Sequence, residues 1–372
     1  MPPSSELAGT TRYHGESADV DGPGDAMTGE VPQPPRRRIP SWAPQVLGYC
    51  LSAACLLWVL HGYPITEELI PAIRDLDWKW VGIGVAADLS IYVVHAWRWN
   101  TLLGPVARLK LWKTVQAIYI GLFANEVLPL RVGELIRIYL LAHWNGLRLS
   151  VAIASAALER LFDGFWMLAA FLATASFVSG IPKEVGIMAQ GVAALLLIGI
   201  ILLAWIVVHK QEAHAAIRES RWASTLRHVI EGLHLMGNLR TLAKTLLISM
   251  LYLALHIFSL YALLKAYKTD YSFWVAGAVV AIIRFATVVP NAPGNLGVVN
   301  VACIKALELF DFPQNSGKTF SFILFGAWTL PLLLGGAVAT ALTGVNIGEL
   351  RQRAKQGINA APTPATAPDA ET

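Results

Sequence analysis

Residues 125–137 read NEVLPLRVGELIR and residues 288–300 read VVPNAPGNLGVVN, two apolar stretches that are each broken by proline and glycine. In both, a proline stands four positions before a glycine, from Pro129 to Gly133 and from Pro293 to Gly297. Proline ends a helix because it lacks an amide donor, and glycine permits a tight return of the chain. We therefore predict a helical hairpin at each break.

The composition is that of a membrane protein. The mean hydropathy is +0.52, and 55% of the residues are hydrophobic but only 15% are charged, whereas soluble domains carry about a quarter charged residues. The 13 tryptophans fit the same class, because tryptophan favours the membrane–water interface. The net charge of +4 falls in particular loops, which indicates topology rather than nucleic-acid binding.

Sequence motifs for metals and nucleotide cofactors are absent from the chain. The three cysteines, Cys50, Cys55 and Cys303, lie in apolar segments. Their odd number disfavours a disulfide framework, and we expect them to pack as small hydrophobic residues. With no Cys/His cluster, phosphate-binding loop or dinucleotide-binding glycine motif, we predict neither a metal nor a cofactor.

Two polar tails flank a membrane domain. We predict disordered cytoplasmic tails at residues 1–40 and 351–372, which are rich in proline and polar residues, and a membrane domain at residues 41–350. The membrane domain contains eight apolar segments: 43–60, 81–97, 114–130, 150–181, 185–208, 245–264, 271–304 and 319–348.

The distribution of basic residues predicts the topology. Lys and Arg concentrate at residues 36–38, 108–113, 209–244 and 351–355, which should all face the cytoplasm. Eight simple crossings would place residues 209–244 outside. Six crossings plus two re-entrant hairpins that enter from opposite faces remove the conflict. We therefore predict an all-α, multi-pass inner-membrane protein with an inverted repeat and both termini in the cytoplasm.

Charged residues of the first hairpin and of the next segment recur at helical spacings. They are Arg131, Glu134, Arg137, Glu159, Arg160 and Asp163. Because ionised groups in a membrane are usually paired or line a pathway, we predict that Arg131 and Arg137 pair with Glu159 and Asp163. Two compatible interpretations follow: a salt-bridge network that fixes the hairpin, or an arginine site for an anionic headgroup.

Other polar residues lie in the remaining apolar segments. Arg284, in the second broken segment, adds a cation to the candidate site. We interpret Asp88 and Arg98 as structural, with Arg98 extending to the cytoplasmic interface. His95 and His256 are expected to be packed helix histidines rather than ligands.

The broken stretches resemble the flippase-like family named for the transmembrane region of lysylphosphatidylglycerol synthase. The resemblance rests on NEVLPLRVGELIR, on LERLFD at residues 158–163 and on PNAPGNLG at residues 290–297, and it covers about residues 43–348. It implies an integral membrane protein that moves or handles a lipid or lipid-linked headgroup. In the namesake enzyme, this region is linked to flipping an aminoacylated phospholipid.

The resemblance, together with the buried charges, gives the candidate site. The candidate substrate-binding residues are Asn125, Arg131, Glu134, Arg137, Glu159, Arg160, Asp163 and Arg284. The candidate residues of the hairpin backbone are Pro129, Gly133, Pro290, Pro293, Gly294 and Gly297. The chain departs from the family pattern at Asn300, where a glutamate is common, which weakens any proton- or cation-coupling role there.

Three functions are compatible with these features. We predict a flippase for an anionic phospholipid or lipid-linked headgroup. The alternative is a non-transporting partner of an envelope-lipid or polysaccharide enzyme, docked through the basic residues 209–244. An intramembrane enzyme using Glu134, Glu159 and Asp163 is the weakest candidate, because neither a nucleophile nor a metal accompanies them. The roughly 24 residues after the last segment leave no room for an aminoacyl-transferase domain.

Overall fold

The computed structural model describes residues 43–128, 132–177, 238–287, 293–346 and 348–349, with isolated positions between 187 and 201. The regular secondary structure within these residues is helical. Its α-helices are α1 (Ala43–Leu60), α2 (Ile65–Asp75), α3 (Trp78–Leu103), α4 (Leu111–Val127), α5 (Gly133–Trp144), α6 (Leu149–Phe177), α7 (Leu239–Ala266), α8 (Phe273–Ala286), α9 (Val298–Glu308) and α10 (Gln314–Thr343).

Three of these helices are long and apolar enough to cross a membrane. They are α3, α7 and α10, with 26, 28 and 30 residues, or about 39–45 Å at 1.5 Å per residue, against a hydrocarbon core of about 30 Å. A fourth span results if α1 and α2, which are bent by 82° at their junction, count as one. The chain is therefore a multi-pass membrane protein.

The three or four spans do not test every prediction about the number and arrangement of membrane segments. The count of eight segments and the inverted repeat stay predictions. Residues 1–40 and 351–372, predicted as tails, and most of the predicted segment 185–208 lie outside the described residues.

The first broken segment folds back on itself as α4 and α5. The two helices touch at Gly121 and Gly133: a Cβ atom added to Gly121 would lie 2.6 Å from Arg137 Cβ and 2.7 Å from Gly133 O. A Cβ added to Gly133 would overlap the carbonyl oxygen of Gly121. Small residues let membrane helices approach this closely. Helices α4 and α5 therefore pack closely on either side of positions 129–131, and the re-entrant course of this segment stays a prediction.

The second broken segment folds back as α8 and α9. Gly294 and Gly297 have φ of +70° and +84°, which residues with a side chain rarely adopt. A Cβ on Gly297 would lie 2.6 Å from Ser52 O in α1. Asn300 Oδ1 accepts from the Gly297 N–H at 3.2 Å, and its Nδ2 donates to Ser321 Oγ at 3.2 Å. Asn300 therefore caps α9 and ties it to α10.

Two of the apolar cores among the described helices each contain one hairpin, and a third, smaller core packs α4 and α5 against Ala339 of α10. The first core joins α3, α4, α5 and α6 around buried residues such as Trp99, Leu141 and Val151. The second joins α7, α8, α9 and α10 around Leu260, Val279 and others. Helices α3 and α7 pack along each other and connect the two cores.

We expect Gly121→Ala to destabilise the protein by about 1–3 kcal/mol, because the added methyl group overpacks the α4–α5 crossing. The measurement is thermal unfolding in detergent, followed by intrinsic tryptophan fluorescence. Gly82→Ala in α3 is the matched control: its Cβ would meet no atom within 4 Å, so the substitution should be neutral or slightly stabilising. Equal effects of the two substitutions would contradict the crossing described above.

Candidate functional site

Glu159 of α6 is the centre of a buried charge cluster. Its side chain is 1% exposed. Its Oε1 lies 3.3 Å from Arg98 Nη2 of α3, and its Oε2 lies 3.5 Å from Arg137 Nη2 of α5. His95 Nε2 of α3 is 3.3 Å from the same carboxylate and 2.9 Å from Arg137 Nη1. One carboxylate therefore connects three helices.

The cluster continues into a closed ring of alternating charges. Arg137 Nη2 lies 3.0 Å from Glu134 Oε2, and Arg160 Nη2 lies 2.5 Å from Glu134 Oε1. Arg160 Nη1 is 3.8 Å from Asp163 Oδ2, and Asp163 also pairs with Arg98. We call this set the charge ring; its members, in spatial order, are Glu159, Arg137, Glu134, Arg160, Asp163 and Arg98.

Three arginines and three carboxylates make the charge ring formally neutral. Its inner members, Arg98, Arg137 and Glu159, are at most 2% exposed. Its outer members are more open, with exposures of 33% for Glu134, 21% for Asp163 and 56% for Arg160. Buried charges are tolerated only when paired. The inner half of the ring is thus structural, and the outer half is available to a ligand.

Aromatic rings cover the two buried arginines. The guanidinium of Arg98 lies 4.5 Å from the ring centroid of Tyr252 in α7, and that of Arg137 lies 4.9 Å from the Trp99 ring. Trp99 Nε1 donates to Ser155 Oγ at 2.8 Å, which fixes the indole. Cation–π contacts of desolvated arginines contribute about 2 kcal/mol. These contacts help to hold the guanidinium groups in place.

The outer half of the charge ring faces a cavity of about 350 Å³. Its lining includes six of the predicted site residues: Asn125, Glu134, Arg160, Asp163, Arg284 and Gly294. A second cavity, of about 190 Å³, is lined by Asp88, Tyr92 and His256 among others. Both cavities are lined by Glu126, Arg284, Thr287, Gly294 and Asn295. We call the two adjoining cavities together the chamber.

The two hairpins meet at the chamber. Glu126 lies at the end of α4, and its Oε2 is 2.5 Å from the point where Gly294 would carry a Cβ. The first hairpin therefore touches the backbone of the second at a position that has no room for a side chain. Asn125, beside Glu126, has a buried Oδ1 with no hydrogen-bond partner among the described residues.

Most of the predicted site residues come together, but not all in the predicted way. The pairing of Arg137 with Glu159 is present. Asp163 pairs with Arg98 and Arg160, and the predicted pairing of Arg131 lies outside the described residues. Gly133 lies in the α4–α5 crossing, and Pro293 and Gly297 lie in the second hairpin outside the chamber lining. Three predicted residues lie outside the described residues: Pro129, Arg131 and Pro290.

The interpretation of Arg98 as an interfacial side chain is wrong. Arg98 is 1% exposed and binds Glu159 and Asp163, because two acidic residues on the neighbouring α6 compensate its burial. His95 is packed in a helix as expected, yet it also contacts the charge ring. The sequence contained an indication that both residues belong to one cluster: His95 and Arg98 are three residues apart and therefore share a helix face.

No cluster of three or more His, Cys, Asp and Glu residues suitable for a metal ion occurs in the part of the chain that the structure describes. Two carboxylates of the larger cavity, Glu134 and Asp163, are engaged with arginines. The chemistry that the arrangement supports is recognition of a polar or charged group by arginine, asparagine and carboxylate side chains.

Comparison with known proteins identifies similar sequences. A family described as "Lysylphosphatidylglycerol synthase TM region" matches residues 45–336, which include the charge ring and the chamber. A UPF0104 membrane protein of Methanocaldococcus jannaschii is 24% identical over 219 residues, which cover 55% of this chain and 92% of the relative. No solved structure matches the chain.

We expect Glu159→Gln to destabilise the protein by about 3–5 kcal/mol, because it leaves two buried arginines short of a counter-charge. Arg160→Gln, at the next position of the same helix, is the control. Its guanidinium is 56% exposed, so its loss should cost about 1 kcal/mol or less. Thermal unfolding of both variants in the same detergent checks this. A stability loss for Arg160→Gln as large as that for Glu159→Gln would contradict the division of the ring into halves.

Proposed function

The chain belongs to the family of the lysylphosphatidylglycerol synthase transmembrane region, and from this premise we propose that it moves an anionic phospholipid or a lipid-linked headgroup across the inner membrane. Membership connects the chain with lipid biosynthesis or transport. In this proposal the protein transports its substrate rather than modifying it. The substrate is a membrane lipid, and both termini lie in the cytoplasm.

The observation that carries the proposal is the chamber between the two hairpins. Paired broken segments that meet within a membrane protein are typical of transporter binding sites. Both hairpins contribute to the lining, through Glu126 of α4 and through Arg284 and Gly294 of the second broken segment. Polar and ionisable groups buried inside a membrane domain cost free energy, and they usually line a substrate pathway.

Arg284 is the strongest candidate for binding the headgroup phosphate. It lines both cavities of the chamber, and its guanidinium lies 5.7 Å from the ring centroid of Tyr252. Unlike Arg160, which is bound to Glu134 and Asp163, Arg284 forms no ion pair with any described residue. An arginine with open donors suits a phosphate, which accepts two parallel hydrogen bonds.

Asn125 and the outer half of the charge ring complete the proposed site. Asn125 lines the larger cavity and in this proposal its amide binds a polar group of the headgroup. Glu134 and Asp163 hold Arg160 at the wall of the larger cavity, so that its partly exposed guanidinium also faces the substrate. The inner half of the ring keeps these groups in position.

The alternative function, as a non-transporting partner of an envelope-lipid or polysaccharide enzyme, depends on residues 209–244. Only residues 238–244 of that stretch are described. No described contact favours this function, so it stands as the second outcome of the following test.

We expect the purified protein to accelerate translocation of fluorescent phosphatidylglycerol in proteoliposomes, and Arg284→Gln to slow it about tenfold, the effect of losing one charge-assisted hydrogen bond. Leaflet exchange is measured by dithionite quenching. Arg240→Gln, at the exposed start of α7, is the matched control and should keep the wild-type rate. Phosphatidylethanolamine and a lipid-linked glycan are compared as substrates.

The alternative outcomes are distinct. No acceleration for any of these lipids, from protein with a wild-type unfolding temperature, would overturn the transport proposal and favour the partner function. Acceleration that Arg284→Gln leaves intact would keep transport but remove Arg284 from the site.

A further inference from the structure

The smaller cavity of the chamber is lined by a buried carboxylate, Asp88, that has no role in the proposed headgroup binding. Asp88 of α3 is 4% exposed. Its hydrogen bond is a long one, accepted by Oδ2 from Tyr92 Oη at 3.4 Å. It forms no ion pair with a described residue. A carboxylate buried this deeply in a membrane span without a counter-ion carries a large free-energy cost when it is ionised.

The titratable groups near Asp88 come from four helices, including its own helix α3. Tyr92 lies on its own helix, Tyr119 and Glu126 belong to α4, His256 belongs to α7, and Arg284 belongs to α8. Helix α10 contributes Trp328, Thr329 and Leu332 to the lining, none of which is charged.

Among these neighbours Arg284 is the cation that can compensate an ionised Asp88. It also lines the larger cavity, where the headgroup is proposed to bind. Glu126 adds a second acidic group to the same wall, and two carboxylates near one cation compete for it. The charge state of Asp88 is therefore tied to what Arg284 binds.

We propose that Asp88 is a proton-binding site that couples proton movement to headgroup movement. When Arg284 is free, its positive charge stabilises the Asp88 carboxylate. When a headgroup phosphate occupies Arg284, that support is lost, and Asp88 takes a proton from water in the adjoining cavity to become a neutral carboxylic acid. Release of the headgroup reverses the step and returns the proton to water. One negative headgroup thus travels with one proton.

This coupling rests on the proposed headgroup role of Arg284, and it makes a quantitative prediction. With one proton carried per headgroup, a pH difference of about one unit supports about a tenfold difference in lipid concentration between leaflets. Fluorescent phosphatidylglycerol should accumulate in the leaflet facing the alkaline side of wild-type proteoliposomes. Asp88→Asn should equalise the leaflets, while the exposed Asp270→Asn should behave as wild type, and protein-free liposomes correct for passive movement.

A spectroscopic measurement tests Asp88 without transport. The infrared band of a protonated carboxyl group should change with pH in wild-type protein in phosphatidylcholine nanodiscs, and this change should be absent in Asp88→Asn. Adding phosphatidylglycerol to the nanodiscs should increase the band. If Asp88→Asn does not fold, Arg284→Gln serves instead, because it keeps Asp88 and should shift the pH midpoint of the band.

The outcomes separate this inference from the transport proposal. Leaflet asymmetry that persists in Asp88→Asn would overturn proton coupling at Asp88 and leave transport standing. If wild-type protein moves no lipid, the transport proposal fails, and the infrared band alone decides whether Asp88 exchanges protons. A band that is unaffected by pH, or by the loss of Arg284, would overturn the inference.

Discussion

The carboxylate of Glu159 is the constraint from which the rest of the site follows. A buried negative charge in a membrane must be compensated, and Arg98 from α3 and Arg137 from α5 do so from two directions. This compensation fixes α5, the second leg of the first hairpin, against α3 and α6. Once the three helices are fixed, Glu134, Arg160 and Asp163 stand at the wall of the larger cavity.

The two interpretations of the buried charges, a structural network and a ligand site, turn out to share residues. The members of the inner half pair with one another, although Nε of Arg98 and of Arg137 is buried without a hydrogen-bond partner among the described residues. The outer half and the chamber retain partly exposed groups, such as Arg160 and Glu134. Because the ring is formally neutral, its field on the chamber is weak at a distance.

Sequence reasoning predicted the elements whose cause is local. The spacing of proline and glycine predicted a break in each of the two segments. The helical spacing of the charged residues predicted that Arg137 shares a helix face with Glu134, and Glu159 with Asp163. Sequence reasoning predicted the contact of α5 with α6 through Arg137 and Glu159, but it did not predict which helices pack against α3. Arg98 and the Tyr252 ring meet across α3 and α7, a contact between residues 154 positions apart in sequence. Asp88 and Arg284 line the same cavity. Sequence spacing could not predict this, because the two residues lie far apart in sequence on different helices.

The glycine contact between α4 and α5 has a mechanical consequence. A carbonyl oxygen of Gly121 occupies the space that a side chain of Gly133 would need, so the two legs of the first hairpin interlock and sliding one past the other would meet a steric barrier. Gly297 against Ser52 O anchors the second hairpin to α1 in a similar way. Each hairpin is therefore held by a backbone contact that leaves no room for a side chain, so an alanine at any of these glycines would push apart the elements that meet there.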